Sequence, residues 1–215
     1  MLNADEQRSR LDAVARAAAE EGLLVAPVGS LYFLYHERGR MFTKDIDAVL
    51  HNKDLTPASL EVLKRIASKL GPFEVSVDQA VVAITTTPSG EPPDIELIRG
   101  RSRTKGGFFP RDLLEEAAAK GKRDGNLILY PLEFMLVLKA DAVIDREERA
   151  KRDTKRSAEH IGRANVFRED LFGEANRAML NEGLSPKAIE SALQHLKKAR
   201  RTAVRALLVA AGIRL

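Results

Sequence analysis

Lys44-Asp45-Ile46-Asp47-Ala48-Val49-Leu50 decides the fold. The run alternates, so Ile46, Ala48 and Leu50 share one face while Asp45, Asp47 and Val49 share the other. An apolar face of this kind needs cover, which predicts a sheet with helices laid against it. Upstream, Leu23–Val28 is a short apolar run between Gly22 and Gly29, predicting a buried strand with a bulge or edge at Pro27. Before it, residues 5–21 place Leu11, Val14, Ala15 and Ala18 at helical spacing. Downstream, Thr56-Pro57 predicts the opening of a helix that carries Leu60, Leu63, Ile66 and Leu70 and closes at Gly71.

Further strands are predicted at Phe73–Val77, Ala80–Thr87, Asp94–Ile98 and Leu127–Tyr130, separated by turn chemistry such as Pro92-Pro93. From Pro131 the pattern turns helical, over 131–147, 148–164, 168–182 and 186–211. The last of these opens on Ser185-Pro186, an N-cap followed by Pro in the first turn. The expected fold is therefore α/β (α+β): a mixed sheet with flanking helices over residues 1–130, then a C-terminal helical bundle over 131–215, packed together through short connections.

Composition narrows the function. With 215 residues and no cysteine, the chain excludes a disulfide scaffold, a thiolate metal site and a cysteine nucleophile. No run reaches the roughly 18 apolar residues of a membrane span, and Met1–Arg8 lacks the basic start of a signal peptide. The expected location is cytoplasmic. The net charge of +4 is uneven: residues 131–215 hold 17 basic and 12 acidic side chains, against 18 and 19 in residues 1–130. That bias suits a solvated helix face or a polyanionic partner. Lys197, Lys198, Arg200, Arg201 and Arg205 cluster in the last helix, where most are expected to face water. The four histidines show no metal-binding spacing and read as surface or capping residues.

The acids offer more. Asp45 and Asp47 lie about 7 Å apart along one strand face. Two carboxylates so placed repel unless a hard divalent cation sits between them. The competing reading is the solvated face of an edge strand. Val28-Gly29-Ser30 forms a strand-to-turn corner where backbone N–H groups and a hydroxyl can approach a phosphate. Asp94 and Glu96 share parity on a third strand, with Glu96 in its middle and Asp94 at its entrance.

Gly29-Ser30, then Asp45-Ile46-Asp47, then a later strand acid resembles the nucleotidyltransferase superfamily of DNA polymerase β type. The resemblance continues in Tyr130–Ala140, with Lys139, and in Arg146, Arg149 and Lys151-Arg152-Asp153, which look like the helix after the sheet in stand-alone bacterial nucleotidyltransferases. It covers residues 23 to about 161. The chain departs from the pattern at Lys44, where many members have Ser, at Glu96, where Asp is commoner, and at Arg156, where Asp often stands.

The resemblance implies Mg²⁺-dependent transfer of a nucleoside monophosphate from an NTP to a hydroxyl on RNA, protein or a small molecule. Two Mg²⁺ ions would be held by Asp45, Asp47 and Glu96, with Asp94 as the alternative third acid, and Glu96 would also take the acceptor proton. Gly29, Ser30, Lys44 and Lys139 would bind the nucleotide, with Arg38 and Arg40 as further cations. Relatives of this kind include antibiotic adenylyltransferases and toxins of toxin–antitoxin systems. The alternative is the same fold without turnover, binding nucleic acid or a protein.

Overall fold

The Ile46–Leu50 alternation does build the sheet. A computed structural model describes residues 4–29, 46–76, 79–86, 94–100, 109–181 and 183–215. Among them are seven strands: β1 (Leu24–Pro27), β2 (Ile46–His51), β3 (Phe73–Val75), β4 (Val81–Ile84), β5 (Ile95–Ile98), β6 (Lys122–Asp124) and β7 (Leu127–Leu129). The seven α-helices are α1 (Ala4–Glu20), α2 (Leu60–Leu70), α3 (Arg111–Lys120), α4 (Leu132–Arg152), α5 (Ser157–Asn181), α6 (Pro186–Gln194) and α7 (Lys198–Ala210). About 60% of the described chain is helical. No helix among the described residues is long and apolar enough to cross a membrane.

The strands form one mixed sheet in the order β3-β4-β5-β2-β1-β7-β6. β2 lies antiparallel to β1 and parallel to β5. Ile46, Ala48 and Leu50 join Val25, Val82, Ile84, Ile95 and Leu97 in a core closed by Leu11, Val14 and Ala18 of α1 and Leu63 and Ile66 of α2. Burial of that apolar surface is the main force holding helices to sheet.

Several elements differ from the sequence reading, each for a local reason. β1 is interior, not an edge, despite Pro27. Val25 N–H points to Asn126 on the β7 side and Val28 N–H to Asp47 on β2. By alternation the nitrogen of Pro27 faces β7, so no bond to β2 is lost. Pro57 does not open α2 but forms an isolated bridge with His51. The helix starts at Leu60, with the Ser59 hydroxyl accepting from Val62 N–H. Two elements the sequence reading passed over are α3 and the exposed strand β6, which hairpins into β7 through Gly125 at φ 57°.

The chain divides into two compact units, Met1–Gly100 with Leu114–Tyr130, and Arg101–Leu113 with Pro131–Leu215. In the second, α4 packs against α5, α6 and α7. Its helices break elsewhere than expected. α4 runs unbroken to Arg152, and Asp153 caps the short 3₁₀ turn Thr154–Arg156 by accepting from Arg156 N–H. The expected single helix over 186–211 is two, α6 and α7. Arg201 holds the break, its guanidinium donating to the carbonyls of Gln194 and Leu196.

Candidate functional site

The parallel register of β2 and β5 sets the site. Asp47 stands directly opposite Glu96. Residues paired across neighbouring strands project to the same face at about 4.8 Å. Both side chains are half-buried. On the other side of β5, Glu96 stands opposite Ala83, whose methyl leaves room above it. Two like charges held side by side by the sheet are poorly placed for stability alone.

Gly29 completes the corner. It follows β1 with φ 64°, a left-handed conformation that glycine adopts without cost. A Cβ built there would fall 2.5 Å from Oδ2 of Asp47. The backbone after β1 thus lies against the Asp47 carboxylate, in a conformation and at a distance that favour glycine. Strand, turn and two acids converge where β1 ends and β2 and β5 begin.

Of the residues singled out from the sequence, the structure therefore brings together Gly29, Asp47 and Glu96. Asp45, Ser30, Lys44, Arg38 and Arg40 lie outside the described residues. Lys139 is buried in the helical unit, its Nζ 3.2 Å from Oδ2 of Asp170. Among the described residues no group of three or more His, Asp or Glu side chains is placed to hold a metal. Asp47 and Glu96 bring two carboxylates into register, oxygen donors of the kind Mg²⁺ takes, while Asp45 lies outside the described residues.

Asp94 does not share the face of Glu96. It stands at the entrance of β5, its N–H donating to the Ile84 carbonyl and its carbonyl accepting from Ile46 N–H, and its carboxylate turns to α1. There Oδ1 lies 2.7 Å from Arg10 Nη1, and Oδ2 accepts from the backbone N–H of Thr86 at 2.8 Å and from the Thr86 hydroxyl. Burial pushes this carboxyl up, but the Thr86 and Arg10 contacts outweigh it and hold it below its ordinary value. Asp94 is a clamp joining β4, β5 and α1. Asp94→Ala is expected to destabilise the chain by about 3 kcal/mol, because a half-buried arginine loses its partner; urea unfolding measures it, and a loss below about 1 kcal/mol would refute the clamp.

The sequence reading also misjudged His51, which is not a surface or capping residue. It is fully buried at the end of β2. Its Nδ1 lies 2.7 Å from the Leu55 carbonyl and its Nε2 2.5 Å from the Tyr130 hydroxyl. Nδ1 donates to the carbonyl, and in the neutral ring that burial favours Nε2 accepts from the Tyr130 hydroxyl. Burial lowers its pKa to about 4 and pushes that of Tyr130 well above its ordinary value. A histidine closing an apolar strand gave the signal: Ala48-Val49-Leu50-His51 leaves no polar side for it. His160 is buried as well.

No family model matches this chain, and neither do any curated proteins or solved structures.

Proposed function

We propose that the chain is a Mg²⁺-dependent nucleotidyltransferase, moving a nucleoside monophosphate from an NTP to a hydroxyl acceptor. The observation that carries this reading is the register of Asp47 with Glu96, with the Gly29 backbone against the Asp47 carboxylate. Asp47 and Glu96 would hold the cation together with Asp45. Bound there, Mg²⁺ would acidify the attacking hydroxyl and offset charge developing at the α-phosphate. Glu96, facing the same corner, would take the hydroxyl proton. Gly29, in the turn beside the acids, would present backbone rather than a side chain to an approaching phosphate.

The test supplies each α-labelled NTP with Mg²⁺ and cell extract, and follows pyrophosphate release and labelled product. Glu96→Gln is expected to lower transfer at least a hundredfold, whereas Asp94→Asn keeps most of it in whatever protein remains folded. Equal losses in folded protein would remove Glu96 from its role. Nucleotide binding without any transfer would favour the non-catalytic module.

A further inference from the structure

The solvent side of α5 carries an apolar face that its packing within the helical unit does not use. The helix packs on α4, and His160, Ala164, Leu171 and Ala175 form its buried side. At helical spacing Ile161, Gly162, Asn165, Val166, Glu169 and Phe172 fall on the other side, facing away from α4. Ile161 is 48%, Val166 56% and Phe172 37% exposed, half of the six large apolar side chains exposed among the described residues. The other three are scattered: Phe73 on β3, Val209 on α7 and Leu215 at the last position. An apolar run gathered on one face marks a surface that meets a partner.

Gly162 adds a second observation. It stands inside the helix, where only proline is a poorer former than glycine. A Cβ there would meet nothing within 4 Å, so no neighbour in the chain calls for its absence. The gap it leaves on the exposed face suits close approach from outside.

The face is complementary to itself. With two copies of α5 laid antiparallel about a two-fold axis near Phe167, every contact occurs twice. Phe172 of one copy then comes over Gly162 of the other, a ring into a gap. Glu169, the one charged residue of the six, comes opposite Asn165, whose amide donates to carboxylates. On the flank beside Val166, Arg163 comes opposite Asp170. Within the chain Arg163 holds Glu159 and Lys139 takes Oδ2 of Asp170, yet Arg163 is exposed and Asp170 partly so. A parallel pair would instead bring Glu169 onto its own counterpart.

We propose that α5 is a self-association surface, pairing antiparallel with α5 of a second copy of this chain. The stripe from Ile161 to Phe172 is about 17 Å long and about 10 Å wide, so one helix pair buries well short of the roughly 1,200 Å² of a stable complex. The dimer is therefore reversible, with its midpoint between about 1 μM and about 1 mM. The proposal stands apart from the transferase reading: the pair forms whether or not the acid site turns over.

Analytical ultracentrifugation of the full chain tests it. The weight-average mass should rise with concentration from 23.7 kDa to twice that value and no further, since a two-fold pair closes on itself. Phe172→Ala should weaken the dimer about thirtyfold or more, because both copies lose the ring. Gly162→Leu should weaken it as much while raising the melting temperature of the dilute monomer, a split that a purely local role of the glycine would not produce. Val209→Ala, at an exposed position of α7, leaves the dimer in place. The chain has no cysteine, so single cysteines report the register. Val166→Cys, near the axis, should link to its own counterpart through a short bismaleimide, whereas Ala158→Cys, about 27 Å from its counterpart, should not. A mass of 23.7 kDa at every concentration overturns the proposal. So does linking through Ala158→Cys, which a parallel pair would give, or a Phe172→Ala dimer no weaker than that of Val209→Ala. All the substituted positions are exposed, and unchanged circular dichroism spectra confirm that the variants are folded.

Discussion

Asp47→Asn is expected to lower nucleotidyl transfer by about three orders of magnitude while leaving the fold intact. The size follows from what the carboxylate does in the proposed site. Charge stabilisation by a held cation is worth several kcal/mol, and each 1.36 kcal/mol is a factor of ten. The fold survives because Asn is isosteric and because the substitution removes a like charge beside Glu96. Mg²⁺ with NTP should therefore raise the melting temperature of wild type but not of this variant. Gly29→Ala should move activity in the same direction by a different route. Its methyl would meet Asp47 Oδ2 at 2.5 Å, and φ 64° adds about 1–2 kcal/mol of strain. Single-turnover pyrophosphate release measures both. If Asp47→Asn keeps more than about a tenth of wild-type rate at saturating Mg²⁺, the site is wrong.

What the sequence made legible was local. Alternation over Ile46–Leu50 and helical spacing over Leu60–Leu70 each named the correct element, because period alone separates strand from helix. Alternation also put Asp47 and Glu96 each on a definite face of its strand. It could not say that β2 and β5 are parallel neighbours in a register that pairs the two, because register is a tertiary choice. Asp94 shows the limit from the other side: parity assigned it to the face of Glu96, yet at the strand's entrance its carboxylate is taken by Arg10 and Thr86, partners that no alternation names. The break between α6 and α7 has no glycine or proline to announce it. It rests on Arg201 satisfying carbonyls that the missing turn frees. The Gly125-Asn126 pair that turns β6 into β7, by contrast, is a readable hairpin signal.

Two buried groups should tilt the pH dependence of stability in opposite directions, and single substitutions should expose each tilt. His51 has its pKa lowered from 6.5 to about 4 by burial. Between those values the unfolded chain binds the proton and the folded chain refuses it, so stability is full above pH 6.5 and is lost as pH falls toward 4. The whole shift amounts to about 3 kcal/mol. Asp141, at the centre of α4, has its pKa raised to about 7. Burial raises it, Arg200 opposes that, and Asp145 and Glu148 on α4 add to the rise. Here the folded chain holds the proton that the unfolded chain releases, so stability is lost as pH rises from 3.8 to 7, by about 4 kcal/mol in full. Asp141→Asn mimics the protonated form. It should stabilise the chain by about 2–4 kcal/mol at pH 8 and by little near pH 4, against the usual expectation that cutting an arginine–carboxylate pair weakens a protein. With that term gone, the loss of stability on acidification due to His51 stands uncovered. His51→Gln does the reverse, leaving a chain whose stability grows as pH falls from 7 to 4. Urea midpoints across pH 4–8 read all three proteins. An Asp141→Asn chain that is less stable than wild type at pH 8 would mean that Arg200 favours the ionised acid by more than burial costs it.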